Sequence, residues 1–204
     1  MLFATKTAEA SLFRARPLGD ITEHERSIVH MDAQSLSFYA DISAFIRDNI
    51  PSGTYSLLDV GPRTGSGLAL LRLLHHPSSY ASIRFDPVTG IDLDSNFERT
   101  AKEQYPDIKA MTGDAFNVAG KWDIVLSSHT VEHTADPAAF LHKLGTLAKR
   151  YVIIACPYEE QDLIRHHLNR IGYKTLTGAG FWNIKVYRSD HWFNSMCCIA
   201  MRAI

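Results

Sequence analysis

The chain is poor in several features that mark whole classes of protein. It has only three cysteines, two of them adjacent (Cys197 and Cys198). These make no disulfide framework. All three sit in apolar, strand-like runs and read as buried thiols of a reducing compartment. No apolar run approaches the roughly 20 residues needed to span a bilayer. Met1 to Ala10 contains Lys6 and Glu9 without a long apolar core, so it does not read as a signal peptide. The cytoplasm is the expected location. There is no long run of Lys and Arg, and the formal net charge is −1. Charge therefore gives no case for nucleic acid or an anionic membrane as a partner. Repeats and low-complexity segments are also missing.

What is present is ordinary in amount and ordered in arrangement. Hydrophobic residues make up 46% and charged residues 21% of 204 positions, which suits one globular domain with a substantial core. Residues 1–30 have weak periodicity and mixed charge, and are expected to form an N-terminal arm or a lid over a ligand. From Asp32 to Ile50 the pattern is helical, with Leu36, Tyr39, Ala40, Ser43 and Ile46 on one face. Pro51-Ser52-Gly53 ends it.

Alternation follows. Strands are expected near Ser56–Val60, Val88–Leu93, Ile108–Thr112, Trp122–Ser127 and Tyr151–Ala155. Helices are expected near Gly67–Leu74, Ser95–Gln104, after Asp136-Pro137, and over Glu160–Ile171. Asp136 is placed to cap a helix with Pro137 at its first position. The Glu160–Ile171 helix would bury Leu163, Ile164, His167, Leu168 and Ile171, with Gly172 as its cap. Ala148-Lys149-Arg150 reads as a short turn before the fifth strand. Two last strands, near Asn183–Arg188 and Met196–Arg202, have no helix between them. The expected fold class is α/β: a doubly wound, mostly parallel seven-stranded sheet with a C-terminal antiparallel hairpin.

Ligands of open parallel sheets bind at the carboxyl ends of the strands. The notable residues fall there. Asp59-Val60-Gly61 and Gly65-Ser66-Gly67 end the first strand, Asp92 the second, Asp114 the third and Ser127-Ser128-His129 the fourth. Glycines let the backbone turn sharply and approach a ligand. Asp92 can accept from two ribose hydroxyls, and Asp114 from an exocyclic adenine amine. The pattern points to an adenosine-type cofactor. The glycine spacing G-x-x-x-G-x-G does not fit the G-x-G-x-x-G of nicotinamide-binding proteins.

Four motifs in order carry a family resemblance: Leu57-Leu58-Asp59-Val60-Gly61-Pro62-Arg63-Thr64-Gly65, Gly90-Ile91-Asp92-Leu93-Asp94, Gly113-Asp114-Ala115-Phe116, and Trp122 through His133. The chain resembles a class I S-adenosylmethionine-dependent methyltransferase of the small-molecule type with a Glu-His motif after strand 4, and residues 31–204 would form that single domain. The resemblance implies S-adenosylmethionine as cofactor and S-adenosylhomocysteine as product. It implies that Gly61 and Gly65 approach the methionine part and that Asp59 supports its amino group. Asp92 would hold the ribose. Asp114 and the backbone of Ala115 would read the adenine, Phe116 would pack nearby, Leu93 would be a further cofactor-binding residue, and Ser128 or His129 would lie beside the methionyl portion. Arg63 stands where the family often has glycine. Its side chain would either face solvent or meet the methionine carboxylate.

For the acceptor, His133 and His129 are the candidate general bases, because an imidazole titrates near neutrality. His129-Thr130-Val131-Glu132-His133 also spells H-x-x-E-H, a zinc-protease pattern, but that motif needs a helix and this segment follows a strand. No metal is assigned; a divalent ion at His129, Glu132 and His133 stays possible without being predicted. The acceptor pocket is expected from the N-terminal segment, the loop after strand 4, the segment after Pro157 and the loop Thr177–Trp182. Tyr158, Phe181 and Trp182 would wall it, and Glu159 and Glu160 would meet hydroxyls or a cation. Trp182, Trp192 and Phe193 have a plainer reading as cover for the sheet edge. The expected acceptor is a small molecule, sugar or glycan precursor methylated at a hydroxyl oxygen, since histidines line the site and no Asn/Asp-Pro-Pro-Tyr sequence occurs. The alternatives are a cofactor-binding protein without turnover and a nicotinamide-dependent oxidoreductase.

Overall fold

The structure, a computed structural model, describes residues 23–164 and 166–204. Of the expected arm or lid, residues 1–22 lie outside the described residues, and 23–30 are the opening turns of a helix. That helix, α1 (Glu23–Asn49), begins well before Asp32. Its first turns are too polar in sequence to show an apolar stripe. Further along, Phe38, Ile42, Phe45 and Ile46 are buried at helical spacing.

The elements then alternate: β1 (Gly53–Val60), α2 (Ser66–Leu74), β2 (Ile83–Asp92), α3 (Ser95–Gln104), β3 (Lys109–Thr112), β4 (Trp122–Ser128), α4 (Pro137–Leu147), β5 (Ala148–Pro157), α5 (Tyr173–Gly178), β6 (Asn183–Ser189) and β7 (Ser195–Ala203). One seven-stranded sheet has the order β3-β2-β1-β4-β5-β7-β6. β1 to β5 run parallel, and β7 is antiparallel to both β5 and β6. The expected sheet and terminal hairpin are present.

Central strands bury both faces, so neighbouring residues enter opposite layers. Leu57, Ile124, Leu126 and Ile153 join α1, α2 and α3 on one face. Leu58, Val125, Val152 and Ile154 join α4 and α5 on the other. The Asp136 side chain caps α4 by accepting from the Ala139 N–H at 2.9 Å.

Three expectations change. β2 starts at Ile83, not Val88, and passes through Pro87; a register shift opposite Tyr55–Leu57 accommodates the proline, which has no N–H to give. Ala148-Lys149-Arg150 is not a turn but the start of β5. The helix expected over Glu160–Ile171 does not form: the described residues of 158–172 make an irregular loop. Its backbone groups are claimed by other elements. The N–H groups of Leu168 and Asn169 both donate to the Glu132 carbonyl, and Glu159 N–H donates to the Ile171 carbonyl. Arg170 further ties the loop by donating to the Glu160 carbonyl. Gly172 stands before α5 rather than after a helix.

Candidate active site

Strand register brings the sequence motifs to one end of the sheet. Val60 pairs with Ile91, Asp59 with Leu126, Asp92 with Thr112 and Ser128 with Ala155. Gly61, Asp92, the turn after β3 and the loop after β4 therefore share one rim. Within the glycine turn, Gly61 has φ +83° and Gly65 φ +81°. A Cβ on Gly61 would lie 2.4 Å from Thr130 Oγ1, and one on Gly65 would lie 2.9 Å from Phe97. Both positions need glycine for conformation and for space.

Arg63, between them, also has positive φ, at 54°. It occupies by strain a backbone conformation that glycine takes freely. Its N–H donates to Asp92 Oδ2 at 2.8 Å, while Asp94 N–H donates to Asp92 Oδ1 at 2.9 Å. Asp92 is thus held between two backbone donors at the tip of β2, with lone pairs left for a ligand. The Arg63 side chain is exposed.

Asp59 is fully buried. Its Oδ2 accepts from the Tyr39 hydroxyl at 2.6 Å, and its Oδ1 has no partner among the described residues. Burial pushes its carboxyl up to about 7, the Tyr39 hydrogen bond works the other way, and the charge of Asp92 adds to the rise. A buried acceptor left unsatisfied beside the glycine turn suits an ammonium or a bridging water. The open glycine cradle and this orphaned oxygen fit the amino-acid end of S-adenosylmethionine.

After β3, Asp114 Oδ1 accepts from Phe116 N–H at 2.9 Å, closing a one-turn 3-10 helix over Ala115–Asn117. Leu93 and Phe116 are exposed apolar side chains and Ala115 is buried. Exposed apolar groups flanking a carboxylate suit the face and edge of an adenine ring.

The loop after β4 is not helical over its length; only Val131–His133 form a 3-10 turn, so H-x-x-E-H does not have protease geometry here. His129 (φ 51°) stacks on Phe38 with ring centroids 3.8 Å apart. Its Nδ1 lies 3.1 Å from Ser128 Oγ, and its Nε2 is buried without a partner among the described residues. Burial, with the charges of His167 and His133, pulls its pKa down to about 3. His133 keeps an exposed edge, and its Nδ1 meets the His166 carbonyl at 2.9 Å. Burial, the His167 charge and then that of Arg63 lower its pKa, against the pull of the His166 carbonyl. Glu132 is 1% exposed, and neither carboxylate oxygen has a hydrogen-bond partner among the described residues. Burial pushes it up to about 8.

The sequence missed His167. It is not on a helical stripe but reaches back to the β4 loop, edge-on to His133 at 4.7 Å between ring centroids. Its Nδ1 is 2.6 Å from Glu160 Oε2. The available signal was an ionisable residue at a position assigned to the core. Trp192 stacks on His167 at 5.7 Å and faces His129, so it belongs to the site.

A cavity of about 460 Å³ opens beside this cluster, lined among others by Tyr158, Glu159, Glu160, Arg188, Trp192 and Phe193. The loop Thr177–Trp182 does not contribute. Trp182 N–H bonds to Met201, and Met201 pairs with Ile153, below the Pro157 end of β5. Phe181 is buried in the core, so it walls no pocket. The turn between β6 and β7 takes the place expected for that loop.

The sequence matches the family model described as a methyltransferase domain over residues 29–194. No curated protein matches it. Among solved structures, the chain is similar to magnesium protoporphyrin IX methyltransferase from Synechocystis PCC 6803 with bound SAH: TM-score 0.63, 15% identity, covering 91% of this chain and 89% of that one. It is similar to a SAM-dependent methyltransferase from Aquifex aeolicus, at TM-score 0.55 and 16% identity over 79% of this chain and 87% of that one. It is also similar to the CMeT domain of the citrinin polyketide synthase, at TM-score 0.62 and 15% identity over 90% of this chain and 57% of that one. A family match across most of the chain, on the fold these structures share, makes the protein a member of the methyltransferase-domain family.

Proposed function

We propose that the protein methylates a hydroxyl oxygen of a small-molecule acceptor, such as a sugar or glycan precursor, in a reducing cytoplasmic setting. The compartment rests on three buried, unpaired cysteines. Asp92 receives the ribose hydroxyls between its two backbone donors. Leu93, Asp114, Ala115 and Phe116 surround the adenine. Gly61 and Gly65 let the backbone approach the methionine portion, Asp59 Oδ1 takes its ammonium, and Ser128 flanks it.

When bound, S-adenosylmethionine supplies a sulfonium methyl that an acceptor oxygen attacks in line, the sulfur keeping the electron pair of the broken bond. The chain's part is alignment and proton removal. Of the two candidate bases, His133 suits the task better, because its ring has an exposed edge near the cavity. His129 is enclosed by Phe38 and Trp192 and is better suited to shaping the pocket floor.

The observation that carries the reading is the cavity of about 460 Å³ next to an imidazole cluster on the rim that holds Asp92. Carboxylates (Glu159, Glu160) and exposed aromatic surface (Phe193) line it, as hydroxyl-rich rings require. The test is to incubate the protein with methyl-labelled S-adenosylmethionine and panels of alcohols, sugars, amines and carbon acids, following S-adenosylhomocysteine release and the labelled product. Label on oxygen supports the proposal. Label confined to nitrogen or carbon overturns the acceptor chemistry.

A further inference from the structure

We propose that Glu132, His133 and His167 form a binding site for one divalent transition-metal ion, zinc by donor type, at the edge of the acceptor cavity. One ligand atom from each residue lies within 4.8 Å of the other two. The three come from two loops: Glu132 and His133 from the turn after β4, and His167 from the loop after β5.

Several features of the cluster are costly unless a cation completes it. Glu132 is buried, and neither of its oxygens has a hydrogen-bond partner among the described residues. An acceptor in that state forfeits its hydration with nothing in return. The two imidazoles are oriented as ligands are. His133 Nδ1 is engaged by the His166 carbonyl at 2.9 Å, and His167 Nδ1 by Glu160 Oε2 at 2.6 Å. Each contact places the proton on Nδ1 and leaves the Nε2 lone pair for an ion. A carboxylate or carbonyl behind the far nitrogen is the usual support of a metal-bound histidine. His166 has φ +84°, a conformation disfavoured for a residue with a Cβ, and the turn there presents its carbonyl to one ring while the next residue supplies the other.

The donor set is two imidazoles and one carboxylate, which zinc accepts with a coordination position left open. Ligands about 2.0–2.2 Å from a tetrahedral ion stand roughly 3.3–3.5 Å apart. Glu132 Oε1 and His133 Nε2 are 4.0 Å apart, so a small side-chain contraction suffices. His129 is not one of the group whose ligand atoms gather within 4.8 Å. The open position would lie towards the cavity that Glu160 and Trp192 line. There an acceptor oxygen could bind the ion. The inference rests on the methyltransferase reading of the pocket and changes one part of it: His133 becomes a ligand, and no longer the proton acceptor.

The test is to strip the full-length protein with chelator, then titrate it with Co²⁺ and with Zn²⁺. Binding is read from visible absorption of the cobalt protein, from quenching of tryptophan fluorescence (Trp192 stacks on His167), and by calorimetry. S-Adenosylmethionine affinity is measured on the same samples. One tight site per chain is expected. Glu160→Gln, which removes only the support behind His167, should weaken it by roughly tenfold to a hundredfold, and Glu132→Gln and His167→Ala should weaken it further. Equal affinity in wild type and all three variants would assign the binding to other histidines and overturn the proposal. So would an absence of tight binding by a wild-type protein that still binds S-adenosylmethionine. A protein that binds the metal but not S-adenosylmethionine would instead sink the cofactor reading.

Discussion

Replacing Asp59 by Asn should remove a large part of the protein's pH response. Asp59 is wholly buried, and its carboxyl is raised from 3.8 to about 7. Tyr39 and Asp92 are the groups that act on it; Tyr39 is itself pushed upward by the same burial. Between the two pKa values the folded protein holds a proton that the unfolded chain has lost. The unfolding free energy therefore falls as pH rises through this window. At about 1.4 kcal/mol per unit, Asp59 alone should cost about 2 to 3 kcal/mol between pH 5 and pH 8. The Asn side chain can still accept from the Tyr39 hydroxyl and cannot ionise. Other groups titrate in both proteins; His75, whose pKa burial lowers, destabilises the fold in the opposite direction, as pH drops below its unfolded value. The difference between wild type and Asp59→Asn cancels such terms. The assay is urea unfolding at half-unit steps from pH 5 to pH 8. The wild-type curve should fall relative to the variant by about 2 to 3 kcal/mol. A parallel pair of curves would refute the argument that Asp59 is protonated in the folded state. The same logic reaches the cofactor: an ammonium at Oδ1 favours the ionised form, so wild-type affinity for S-adenosylmethionine should tighten from pH 6 to pH 8, and that trend should vanish in Asp59→Asn.

Asp92→Ala should weaken S-adenosylmethionine binding tenfold or more, about 1.4 kcal/mol, by calorimetry; unchanged affinity would remove Asp92 from the ribose. Gly61→Ala combines a positive φ with a Cβ 2.4 Å from Thr130 Oγ1, so it should destabilise the fold by about 2–4 kcal/mol in urea. Adding Thr130→Ala should recover part of that loss, whereas strictly additive effects would show that Thr130 is not the obstacle. Phe45→Ala, at a buried position of α1, should cost roughly 3–5 kcal/mol while leaving S-adenosylmethionine affinity of the folded fraction intact.

Much of the cofactor side was legible because it depends on local order. An apolar run, glycines at set spacing and a carboxylate at the end of the next strand are neighbours in sequence or one crossover apart. The parallel sheet that aligns them follows from the alternation itself. Arg63 shows the limit: its type alone left its role open, and only its positive φ and its N–H on Asp92 show that the backbone, more than the cation, serves the site.

What the amino-acid order determined by itself was the class of fold and the strand ends that gather the glycine turn, Asp92 and the β4 loop on one rim, because periodicity and turn chemistry act over a few residues. What only the tertiary structure decided was the acceptor side. The segment 160–172 has helical spacing, yet its backbone hydrogen bonds go to Glu132 and to its own ends, so no helix forms. That non-local capture brings His167 against His133, Glu160 and Trp192 of the β6–β7 turn, and leaves the buried Glu132 carboxylate beside two imidazoles.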